Sequence, residues 1–424
     1  MGVPPVAAGP TAPGGFDPVS DAFVRDPGLA FAAARARAPV FYYEPLDAWV
    51  LTRSADVEAA LPDFETLSQG AFRDAPVPAA FEDRIPIGWF NPSWIALDPP
   101  EHTMPRKVAQ RGFRRPAIKA LEPRIEAIAH ELVDAFPATG EVELMEAYCY
   151  ALTTRTLLAL LGMPVSDHEF IRQLATDHVR AFNVVLQPIP ADEEAQVWTR
   201  YADAWDRFRA LVGERRDSAG EDIISVMASA RDQDGAPLLA TDRIALHCCE
   251  IAFAGTDTTA NLMANALVFL AAAPDQRARL LADPSLWDVA VDETLRRRPS
   301  VAAVPRIATR DVAFSGVTIP AGARVWLALG AAGTDGDRWE EPFAFDLDRP
   351  GVGDHVAFGK GRHFCMGAPL ARTQARIGLR VLHERLGAVE PVPGHETTFG
   401  RVPGAPSRLR MPVTFSGPLV ASAP

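Results

Sequence analysis

Residues 358–372 read FGKGRHFCMGAPLAR, with one cysteine, Cys365, set among three glycines in a chain of 424 residues that has only four cysteines. Gly359 and Gly361 permit a tight loop before it, and Gly367 lets a flat ligand approach the backbone after it. The following stretch, APLARTQARIGLRVLHERL, has a helical period, and Pro369 is tolerated in a first turn. Cys365 is therefore expected at a helix N-terminus, where the dipole and the free N–H groups stabilise a thiolate. The plainer alternative is a buried structural cysteine in a glycine-rich turn.

Three further stretches carry residue types that chemistry uses. In Glu293-Thr-Leu-Arg296 the acid and the arginine share a helix face and can pair, a surface ion pair being the default. A long helix, apolar nearly all round, is expected over 241–273, capped by Thr241 or Asp242 and stopped by Pro274. Within it Gly255, Asp257 and Thr258 of AFAGTDTT are costly, because glycine loosens a helix and a buried carboxylate is desolvated. Ser and Thr in helices often only bond back to the i−4 carbonyl. In DPPEHTMPRKVAQRGF, His102 and Arg106 lie four apart on one helix face.

Taken together and in this order, these stretches resemble the cytochrome P450 family. FGKGRHFCMG is similar to that family's haem-binding signature, in which the cysteine is the axial iron ligand. The resemblance runs from about Asp17 to Pro412. It implies a mainly α fold with a smaller β portion, a long central helix over the haem, and haem b (iron protoporphyrin IX) as cofactor. It makes Cys365 the metal ligand, a thiolate that favours O–O cleavage. Phe358 would pack near the sulfur, while Ala254 and Gly255 would leave room for haem and oxygen. His102, Arg106, Arg306 and His363 would meet the two haem propionates, which suit donating and cationic partners. Asp257 and Thr258 match an acid–alcohol pair that steers protons during dioxygen activation. Glu293 and Arg296, with Arg349 of FDLDRP, match a buried scaffold. One departure stands out: Gly333-Thr334-Asp335 replaces the Asn-Arg-Asp common in relatives. The run GAAGTDG there resembles a nucleotide loop, but no helix is expected to open after it.

The rest of the chain bounds the reading. No linker divides it, so residues 1–16 are expected as a flexible leader and 17–424 as a single catalytic domain. A formal net charge of −12 gives no global basic footprint for nucleic acid. Cys149, Cys248, Cys249 and Cys365 show no disulfide framework, which fits a reducing cytoplasm. The longest uncharged stretch, 258–274, is 17 residues, short of the roughly 20 that span a membrane. PVFYYEPLDAWVLTR (39–53) suggests a hairpin, and strand signals return over 304–329.

The expected function is a monooxygenase that hydroxylates or oxidatively dealkylates a small, largely apolar, aromatic or terpenoid-like substrate. A peroxide-driven peroxygenase is the nearest alternative, though it needs no acid–alcohol pair. A non-enzymatic haem sensor would need a signalling or DNA-binding element, and none is visible. Electrons are expected from a ferredoxin and its reductase, steered by Arg106, Lys107, Arg111, Arg114, Arg115 and Lys119, with Lys360 and Arg362 nearby; the protein is expected to be a monomer. The proline-rich segment 68–100 has no clear period and many aromatics, as functional loops do. Candidate substrate contacts are Phe72, Ile87, Trp89, Phe90 and Trp94 from that loop. Phe253 and Ala254, Val301, Ala302 and Val304, and Phe399 are the others. Arg73 or Arg84 is a second-ranked carboxylate anchor.

Overall fold

The structure, a computed structural model, describes residues 9–72, 77–86, 88–137, 140–183, 189–217, 220–395 and 397–415. Its centre is the helix Thr241–Ala272, 32 residues of mostly small and apolar side chains, and at ~1.5 Å per residue nearly 50 Å long. Helices Ala151–Leu161, His168–Asn183, Ala191–Arg215, Trp287–Arg297 and Ala368–Leu386 pack against it. Neither expected cap is used: Ala240 is the N-cap without a side-chain bond, and the Thr241 hydroxyl instead accepts from Arg216 Nη2 at 2.9 Å. Pro274 does stop it and opens the helix Pro274–Ala282. Among the described residues no helix is long and apolar enough to cross a membrane.

The expected hairpin forms, Val40–Tyr43 against Ala48–Leu51, with Asp47 left-handed at the turn. It edges a five-stranded sheet. Ala48–Leu51 runs parallel to Arg324–Leu327, which pairs antiparallel with Val304–Ala308, and that strand meets Leu67–Ser68. Residues 10–16 of the expected leader are tied to the sheet. Tyr42 N donates to Pro10 O and Ala12 N to Tyr42 O, both at 2.8 Å. Phe16 packs on Phe23, Phe31, Phe41 and Tyr43, because an aromatic ring gains more against that cluster than in water.

The Glu293–Arg296–Arg349 set is buried where the sheet end meets the helices. Arg296 Nε and Nη2 donate to Glu293 at 2.6 and 2.9 Å, and Arg349 Nε to the same carboxylate at 2.9 Å. The remaining guanidinium hydrogens reach carbonyls of Gly333, Pro342 and Ala344, and of Glu340 and Glu341 from Arg349. Gly333, the departure noted above, is required here: a Cβ on it would lie 1.9 Å from Arg296 O.

Candidate active site

The helix Ala368–Leu386 begins just after Cys365, with Gly367 as its N-cap. Cys365 N donates to Phe358 O at 2.8 Å, closing the loop on itself. Gly359 and Gly361 both take left-handed φ, 72° and 73°, and a Cβ on Gly361 would sit 2.9 Å from Pro62. Burial pushes the half-buried Cys365 thiol above its ordinary value. Amides of Gly367 and Ala368 and the cations Arg106 and Arg372 oppose that rise. The loop is braced from behind by Asp292, which accepts from Arg372 Nε at 2.7 Å and meets His355 Nε2 at 3.2 Å. Burial alone would raise the Asp292 carboxyl, but these two partners hold it below the usual carboxylate range. The Arg372 guanidinium lies 4.7 Å over the Phe358 ring.

Beside the thiol the chain gathers cations and imidazoles with almost no counter-charge. The His102 and His363 rings meet at 4.2 Å between centroids, tilted by 42°, and the Nε2 of each is buried without a hydrogen-bond partner. Burial and neighbouring positive charges drive His102 down to about 4 and His363 to about 2. Arg306 is buried on the strand Val304–Ala308, and burial lowers it to about 10. Arg106 turns inward and donates to Phe364 O. The one carboxylate acting on His102 and Arg306 is Asp98, already taken by Ser68 Oγ at 2.5 Å and Gln69 N at 3.1 Å. Such a set is short of a dianion, and orphaned imidazole nitrogens among cations fit the two propionates of haem.

On the central helix Ala254 is exposed in the middle of a buried run, so this turn borders open space. The Thr258 hydroxyl donates to Ala254 O at 2.5 Å, the plain i−4 bond, and Ser300 Oγ donates to Thr258 O at 2.6 Å. Burial raises the Asp257 carboxyl, and Arg172 of the helix His168–Asn183 opposes the rise from 3.6 Å. Arg172 also lies 3.8 Å over the Tyr150 ring and floors a groove of about 730 Å³ whose walls include Glu146, Phe170 and Asp177. Gly255 does not face the open space: a Cβ there would strike Leu157 at 2.7 Å, so this glycine admits the helix Ala151–Leu161.

The expected substrate residues divide. Trp89 and Phe90 are buried among rings, Trp89 against Phe90, His178, Trp198 and Tyr201, and form a layer behind the open space rather than its lining. Trp94 is buried against His247. Half-buried Phe253 stacks on His178 at 4.7 Å. Ala302 is fully buried in the cluster of Phe31 and Trp326, while Val301 and Val304 pack on the sheet. Phe399 sits under the guanidinium groups of Arg298 and Arg408. The Phe72 side chain, Arg73 and Ile87 lie outside the described residues. Arg84 does not reach inward, because Asp203 and Asp206 hold its guanidinium at 2.7 and 2.6 Å. Sequence reasoning missed Arg172, His178, Asp292, and the buried pair His247 and Glu250. The signal for the last pair was present, as two polar residues inside an apolar helix.

A family model for cytochrome P450 matches residues 64–386. The chain is 34% identical to the vitamin D(3) 25-hydroxylase of Pseudonocardia autotrophica, over 94% of this chain and 96% of that protein. It is also 34% identical to the cytochrome P450 monooxygenase PikC of Streptomyces venezuelae, covering 86% and 84%. Among solved structures it superposes on cytochrome P450 CYP109Q5 from Chondromyces apiculatus with a TM-score of 0.83 and 28% identity, covering 96% and 99%.

Proposed function

Because the chain belongs to the cytochrome P450 family and is a haem-dependent monooxygenase, we propose that it hydroxylates a neutral, largely apolar substrate with electrons from an acidic ferredoxin and its reductase. The observation that carries the assignment of residues is the cation and imidazole cluster, short of two negative charges, beside Cys365. Bound haem supplies the activation of dioxygen and the insertion of one oxygen atom into a C–H bond. Cys365 is its thiolate ligand, favoured by the Gly367 and Ala368 amides and by Arg106 and Arg372. His102, Arg106, Arg306 and His363 hold the propionates.

Thr258 keeps a proton at Oγ1 while bonded to Ala254 O, and its lone pairs remain free to accept another. Asp257, its carboxyl raised by burial, stands next to Thr258 and 3.6 Å from Arg172, which lines the groove. This pair is the proton route. A neutral substrate is supported by Arg84 being taken by two carboxylates. Lys107, Arg111, Arg114, Arg115 and Lys119 are exposed, and they form the cationic face for the donor; Arg106 is not part of it.

The central test is the ferrous carbonyl spectrum, with its thiolate-type band expected in the native protein and lost in Cys365→His. Thr258→Ala is expected to keep haem and substrate binding while yielding less product and more hydrogen peroxide per reducing equivalent. Substrate class is checked by titrating a neutral aromatic ether and its benzoate analogue and following the spin-state shift. Tight binding of the acid alone overturns the neutral reading.

A further inference from the structure

Arg243, His247, Glu250, Ala254 and Thr258 follow one another at spacings of four, three, four and four along the central helix, and so run down one face. The lower half of this stripe, Ala254 and Thr258, is the reaction face. The upper half is covered by three consecutive residues of the aromatic loop. Arg243 Nε donates to Pro92 O at 3.3 Å, the Ser93 hydroxyl donates to Glu250 Oε1, and the Trp94 ring stacks on His247 at 3.8 Å with 10° between planes. His247 Nδ1 meets the other oxygen, Glu250 Oε2, at 2.8 Å. Ser93, His247 and Glu250 are all essentially inaccessible.

Burying a carboxylate in an apolar helix is destabilising unless every oxygen is bonded, and apolar side chains would seat a loop more cheaply. What a bonded carboxylate adds is a unique register. Ser93 passes that register on: its hydroxyl accepts from Ile95 N at 2.9 Å, and its carbonyl accepts from Ala96 N and Leu97 N at 3.1 Å. We propose that Glu250 is a positioning residue which, through Ser93 and His247, fixes the seat of the 92–97 turn. It thereby sets the height of the roof over Ala254 and Thr258, and so the size of ligand admitted. The inference rests on Ala254 and Thr258 being the reaction face.

The test compares Glu250→Ala, Glu250→Gln and Ser93→Ala in the haem-loaded protein. The probes are imidazole and 4-phenylimidazole, which bind haem iron through the same kind of nitrogen and differ by one ring. Optical titration gives both affinities, and hydrogen exchange follows the amides of 95–97. A thiolate-type ferrous carbonyl band in every variant verifies the family reading separately. In Glu250→Ala the ratio of the two affinities is expected to change about tenfold and the 95–97 amides to exchange about tenfold faster, the scale of losing one charge-assisted bond. Glu250→Gln, which keeps an acceptor for Ser93, is expected to restore most of both. A change of the same size for both probes, or no change in ratio and exchange, overturns the proposal. Where Glu250→Ala does not take up haem, Ser93→Ala decides in the same way, with about a threefold change in ratio expected because the His247–Glu250 contact remains.

Discussion

Around Cys365 the chain is held by charged bonds to one acid of the helix Trp287–Arg297, whereas the aromatic layer near Ala254 is held by rings from four segments. Asp292, His355 and Arg372 brace the thiol loop through directional bonds, and Gly361 fits a site that only glycine fills. Phe90, Trp89, His178, Tyr201 and Phe253 interlock in the roof largely by shape, with the His178–Tyr201 bond at 2.9 Å and the buried carboxylate of Glu250 as directional contacts. Directional bonds specify one arrangement, while aromatic packing tolerates several of similar volume. The thiol loop is thereby more narrowly specified than the roof.

The largest effect lies with the scaffold behind the thiol loop. Glu293→Ala leaves two buried guanidinium groups without their acid, and is expected to cost about 3–5 kcal/mol and most of the haem-bound yield. Urea unfolding measures it, and a loss below 1 kcal/mol would break the comparison on its proximal side. Next comes Trp89→Ala, a buried ring removed from the roof, expected to cost about 3 kcal/mol by cavity formation. Its ferrous carbonyl band should survive while probe selectivity changes; loss of the band would mean that the roof and the loop are not independent.

Acid probes the roof through one buried imidazole. Burial holds His178 at about 3, so the folded roof refuses a proton that the unfolded chain accepts below about 6.5. Stability from this group is therefore lost as pH falls from about 6.5 toward 3, by up to about 1.4 kcal/mol per pH unit. Asp292 is depressed, so its contribution persists until pH drops below its ordinary value of 3.8. Hydrogen exchange in 168–183 is expected to rise as pH falls from about 6.5 to 5, and His178→Gln should reduce the pH dependence of the urea midpoint. The smallest effect concerns the outer face: Arg111→Glu should slow reduction by an acidic ferredoxin a few-fold at low salt and little at high salt. Salt-insensitive reduction counts against a steering face.

The proximal half was legible in the sequence because its determinants are local. Glycines at 359, 361 and 367, a cysteine and a helical period from Ala368 onward sit within one stretch, and the helix Ala368–Leu386 has the expected bounds. The roof was legible only as a proline-rich stretch with too many aromatics. Which rings lie behind the open space depends on the helices His168–Asn183 and Ala191–Arg215, which come about a hundred residues later. Gly255 shows the same limit, since its neighbour Leu157 belongs to another helix.

The sequence by itself determined the family, the cofactor and the long central helix. The helix follows from composition and its flanking stop signals, and the family and cofactor from the resemblance carried by FGKGRHFCMG and its companion stretches. Only the tertiary structure decided that Arg84 faces Asp203 and Asp206, that Asp257 faces Arg172, and that Ser93 reaches Glu250. Each of these pairs spans tens of residues or more, and a charge or hydroxyl has no preferred partner until burial removes water and leaves one group within reach.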